Sequence, residues 1–173
     1  MTGPEFFHAI EQTGPSKWIR ETDSIFGFYF VLLFHNLALT MLVGPSALID
    51  LRLLGAAPQV PVKSLKPLYV VMTWGVAIAT LTGLLLLLAY PTKALTNPLF
   101  YVKLMLVALG VVTVFKMKAR LFDKDSMSES EMIEAGKTMA IWSLVFWFAT
   151  ITAGRLLAYT YKYLTSADMV YGR

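Results

Sequence analysis

The sequence predicts an all-α polytopic membrane protein, a four-transmembrane-helix bundle preceded by a short N-terminal interfacial amphipathic helix. Two observations lead there. Of 173 residues, 57% are hydrophobic and only 15% charged, with a mean hydropathy of +0.62, outside the range of soluble domains. Four apolar stretches also reach the roughly 20 residues that a helix needs to cross hydrocarbon.

Residues 1–24 form the N-terminal segment. "MTGPEFFHAIEQTG" carries two glutamates and no basic start, so it reads as part of the mature chain and not as a cleavable signal. Phe6, Phe7 and Ile10 share a helical face opposite Glu5, Glu11 and Gln12, and Trp18 and Ile19 follow Pro15. The pattern predicts one or two short helices over 4–22 lying in the interface.

The membrane domain spans 25–163. Its first span, 25–48, contains Gly44-Pro45, where the missing proline N–H predicts a kink. "SALIDLRLLG" then reads as a turn or two of surface helix, with Asp50 and Arg52 in a local ion pair. "APQVPVKSLKP" is a proline-punctuated loop before the second span, 67–90. That span carries Gly75, Ala79 and Gly83 at i, i+4 and i+8, a small-residue stripe suited to close helix packing. The third span is 98–117. A solvated loop follows, with Ser128 and Glu131 spaced as a capping box, and then the fourth span, 138–162, and a tail over 164–173.

Cations set the expected orientation. Loops 51–66 and 116–137 hold eight lysines and arginines, against five on the other side, which places those loops in the cytoplasm and both termini outside. Seven of eight tyrosines fall toward the outer side. The net charge of +4 belongs to these loops and implies no nucleic-acid partner.

Three ionisable residues lie inside spans: His35, Lys103 and Arg155. Such residues are costly in hydrocarbon and are candidate ligand or lipid contacts. Lys103 and Arg155 sit about 9–10 Å from the outer ends of their helices, within reach of the interface by snorkelling. Tyr159 shares a face with Arg155 at i+4. His35 lies about 15 Å down its span, where it could bond a quinone, ligate haem b or simply bond a neighbouring threonine. His8 is the only other histidine, so no pair of membrane histidines exists for axial haem ligation, and there is no cysteine for a thiolate site.

"LVGPSALIDLRLLG" (42–55), "TGLLLLLAYP" (82–91), "NPLFYVKLML" (97–106) and "AGRLLAY" (153–159) resemble the ordered blocks of an uncharacterised bacterial family of small four-span inner-membrane proteins. The resemblance covers residues 16–163. It implies the four-helix fold and a bacterial inner-membrane location, and it supplies no activity. Members carry a histidine matched by His35 and a Phe-His at the end of the third span, which reads Phe115-Lys116 here.

No phosphate-binding glycine loop, H-E-x-x-H or G-x-S-x-G is present, so the soluble segments carry no recognisable catalytic set. The primary expectation is an accessory subunit without autonomous catalysis, packed against a larger membrane complex of respiratory or photosynthetic type. The alternative is a quinone- or haem-binding electron-transfer protein, or a small anion transporter, that uses His35, Lys103 and Arg155. The lipid bilayer is a partner in either case.

Overall fold

The computed structural model describes residues 3–22, 24, 26–124 and 126–171. The expected start of the first span at Ile25 and the last cation, Arg173, lie outside the described residues. The described chain is all-helical. α1 (Gly3–Glu11) and α2 (Gly14–Glu21) precede the first long helix, α3 (Phe28–Leu53). A 3-10 turn (Val62–Leu65) leads to α4 (Leu68–Ala89), and a short α5 (Pro91–Leu95) leads to α6 (Pro98–Met117). A π-helical turn (Lys118–Phe122) and a loop then reach α7 (Glu129–Tyr171), which continues through residues 164–171. Four of these helical stretches are long and apolar enough to cross a membrane, which makes this a multi-pass membrane protein.

α3 is central, packed on α4 and α7, while α6 packs on α7. The α3–α4 contact is close because Gly75 has no side chain: a Cβ there would lie 2.9 Å from the Ala38 carbonyl oxygen. Gly110 plays the same part between α6 and α7, seating the Trp147 indole, whose ring would lie 3.1 Å from an added Cβ.

The packed core is concentrated at the lysine-rich end of the bundle. Leu42, Ile49, Leu53, Tyr69, Met72, Val114, Met117, Leu121, Met132 and Trp147 form one buried cluster there. This corrects the expectation for "SALIDLRLLG". α3 runs as one helix through Pro45, and Ser46, Ile49, Asp50, Arg52 and Leu53 are buried instead of lying on the surface. The apolar residues 42, 49 and 53 fall on one helical face, which carries the polar ones into the core with them.

The helix ends are satisfied locally. α3 closes in a Schellman turn: the Ala56 N–H donates to the Leu51 carbonyl at 2.9 Å and the Gly55 N–H to that of Arg52 at 3.1 Å. Gly55 takes φ +105, the left-handed conformation this motif demands of its glycine. Asn97 caps α6 by accepting from the Leu99 N–H at 3.0 Å. Ser128 and Glu131 form the capping box of α7, the Ser128 N–H donating to Glu131 Oε2 at 2.7 Å.

The N-terminal helices dock on the opposite end. Ser16 Oγ and Arg20 Nη1 both donate to the Ala89 carbonyl, one of the carbonyls that the end of α4 leaves without a helical partner. The Glu11 carboxylate accepts from the Thr92 N–H at 3.1 Å at the start of α5. Trp18 stays 57% exposed, as an interfacial anchor should.

Candidate functional site

Two polar clusters lie within the spans, one toward each end. The first gathers around His35. Its Nδ1 lies 2.9 Å from Thr82 Oγ1 on α4. The Thr82 hydroxyl has one proton, and its carbonyl acceptor is Ile78 at 2.7 Å. The tautomer with its proton on Nδ1 lets Thr82 Oγ1 accept from His35 while its own proton stays on the Ile78 carbonyl, and it leaves Nε2 as an acceptor. Gly83 makes room for the ring: a Cβ there would lie 3.3 Å from His35 Cε1.

Lys103 on α6 is half-buried. Its Cε passes Gly154 on α7 at 3.8 Å from where a Cβ would stand. His35 thus packs toward α4 and Lys103 toward α7. Arg155 and Tyr159 do not join them. Both are exposed on α7, Tyr159 at 58%. One residue's rotation from Gly154, about 100° of helix, carries Arg155 off the face that meets Lys103.

Asn36 has no counterpart in the expectations. It follows His35 by one residue, so it points away from α4 onto the exposed surface of α3. Its side-chain amide makes no hydrogen bond among the described residues. It lies about 12 Å along a helix of roughly 39 Å, inside the hydrocarbon.

The second cluster surrounds Asp50. Trp147 Nε1 donates to Ser46 Oγ at 3.0 Å, Ser46 Oγ lies 3.2 Å from Ser143 Oγ, and Ser46 Oγ donates to Asp50 Oδ2 at 3.4 Å. The expected Asp50–Arg52 ion pair is not made. Arg52 turns to the loop, where Nη2 bonds the Glu129 carboxylate and the Pro58 carbonyl, and Nε bonds the Val60 carbonyl. Residues two apart on a helix face different directions, which is why sequence proximity misled. The signal that could have found the cluster is the i, i+4 repeat of Ser46–Asp50 and Ser143–Trp147 on two facing helices.

Among the described residues, no three His, Asp or Glu side chains converge as a metal cage. No family model, curated protein or solved structure matches the chain.

Proposed function

We propose that the protein is a small integral membrane subunit that docks laterally on a larger membrane assembly, in the inner membrane of a bacterium. Membership of the family it resembles belongs to the same proposal. The observation that carries it is Asn36. A carboxamide exposed to lipid with no partner costs several kcal/mol, whereas one facing a neighbouring transmembrane helix forms an interhelical hydrogen bond. The surface around it is broad: Leu33, Phe34 and Leu37 are each at least 39% exposed, and no more than 28% of any span's most apolar window is buried within the chain.

Asn36→Leu tests this directly. The purified variant should unfold at the same temperature as the wild type or higher, because no internal contact is lost. Co-purification of membrane proteins with an affinity-tagged chain in mild detergent should drop sharply. The same retained partners in variant and wild type would remove the docking face from α3.

Orientation is tested separately. Single cysteines at Ser64 and Ser126 should react only with reagents that reach the cytoplasm, and one at Gln12 only from outside; all three positions are exposed. Labelling of Ser126→Cys from outside in intact cells would invert the topology.

A second reading rests on His35 and Lys103. An imidazole acceptor on α3 and an ammonium donor on α6 suit a small molecule with one hydroxyl and one anionic or carbonyl oxygen, such as a quinol or semiquinone. A stoichiometric quinone in an organic extract of wild-type protein, lost in His35→Phe, would favour it over pure docking.

A further inference from the structure

We propose that the groove at the start of α4 is a headgroup site for an anionic phospholipid, whose acyl chain lies along the exposed face of the same helix. The groove has a volume of about 540 Å³ and lies where the chain passes from the loop into the second span. Lys63, Lys66 and Lys118 line it together with Pro67 and Val70, and no described lining residue is a carboxylate. Lys118 comes from a distant part of the sequence. The π-helical turn that it opens is tied to α4 by Phe122, whose ring meets that of Tyr69 edge-on at 5.1 Å. Cations from two elements are thereby held at one opening, at the level of the membrane surface.

The ammonium groups of Lys66 and Lys118 are open to an incoming anion. Asp123 sits 3.6 Å from Lys66 Nζ and 3.7 Å from Lys118 Nζ, too far for hydrogen bonds. Exposed pairs of this kind hold their partners weakly, so a phosphate can draw both lysines to itself. The neighbouring hydroxyls offer it no proton: Ser64 Oγ donates to the Pro61 carbonyl at 2.7 Å, and Thr73 Oγ1 donates to the Tyr69 carbonyl at 2.7 Å. Recognition therefore rests on charge. That favours an anionic headgroup over a zwitterionic one, which would bring its own ammonium among the lysines.

The helix face that leaves the groove selects a lipid over a free phosphate or an acidic peptide. Val70, Trp74, Leu81 and Leu84 are each at least 59% exposed. At about 3.6 residues per turn these four positions fall on one side of α4. They run as an apolar stripe from the groove, which Val70 itself lines, into the span. A phosphate or a carboxylate side chain would use the lysines alone. A molecule with an anionic head and an apolar tail uses both parts at once.

Native mass spectrometry of the delipidated full-length protein tests this, by titration with phosphatidylglycerol or with phosphatidylethanolamine of the same acyl chains. The wild type should bind phosphatidylglycerol roughly tenfold more tightly. The double variant Lys66→Gln, Lys118→Gln should lose about twentyfold in that affinity, roughly fivefold for each lysine beside an anionic headgroup. Its melting temperature without lipid should stay that of the wild type, since both side chains are at least partly exposed. Arginine at both positions should keep the affinity, because the site reads charge. Glutamine at Lys116 and Lys124, exposed lysines outside the groove, should keep it too. Asp123→Asn should tighten binding, since its carboxylate competes with the phosphate for both ammonium groups. Three results would overturn the proposal: equal affinity for the two lipids, unchanged phosphatidylglycerol binding in the double glutamine variant, or displacement of bound lipid by inorganic phosphate or polyglutamate at constant ionic strength. The last would make the groove a site for a free anion or an acidic chain instead.

Discussion

Gly75→Leu is expected to be the most damaging single substitution within the membrane. The added Cβ alone would stand 2.9 Å from the Ala38 carbonyl oxygen and 3.0 Å from the Leu42 amide nitrogen, both in the backbone of α3. A side-chain neighbour could rotate away; a helix backbone cannot. α3 and α4 must separate, and with them Ala38, Leu42 and Met72 lose their packing. Overpacking of this kind costs about 3 kcal/mol or more, and the melting temperature in detergent should fall on the order of 10 °C. Gly83→Leu should be milder, since its neighbour is the His35 imidazole at 3.3 Å, a movable ring. Thr80→Leu is the control: it is exposed on the same helix and its hydroxyl only returns to the Val76 carbonyl. It should melt with the wild type. If Gly75→Leu and Thr80→Leu melt together, α4 does not pack on α3 through this stripe.

The contrast between these positions shows what could be read from the chain alone. Hydrocarbon imposes length and apolarity on any spanning helix, so the four spans are legible in composition, and proline, glycine and Ser-x-x-Glu mark where helices start and stop. Rotation about each helix axis is less legible, because lipid and core are equally apolar and hydrophobic periodicity fades. Asp50 and Arg52 therefore read as surface residues in the sequence, whereas one enters the core and the other clamps a loop. The role of Asn36, adjacent to His35, is hidden in the sequence for the same reason: only the packed structure shows that the histidine faces α4 and the amide faces outward. Within "DLRLLG" each of four letters now has a physical task. Asp50 is buried, Arg52 ties the loop, Leu53 fills the core and Gly55 turns the chain left-handed.

Arg52→Ala is expected to be the second most damaging change, and it acts at the loop end of the bundle. The guanidinium side chain is 7% exposed and holds three groups at once: the Val60 and Pro58 carbonyls and the Glu129 carboxylate. Removing it strips two loop carbonyls of charge-assisted hydrogen bonds and leaves Glu129 without its partner. Glu129 is 43% exposed, so water recovers part of its loss, and the net cost should be about 2–4 kcal/mol. Limited proteolysis should then cut the loop around residues 56–61 well before the spans unfold. Arg52→Lys should rescue little, since an ammonium cannot span the planar fork that reaches both carbonyls and the carboxylate. Glu129→Gln should cost less than about 1 kcal/mol, as for an exposed pair. A double-mutant cycle decides which partner Arg52 serves. Coupling to Glu129 should reach about 1 kcal/mol, while coupling to Asp50 should stay within roughly 0.5 kcal/mol of additivity. The opposite ranking would make Arg52 the counter-ion of Asp50.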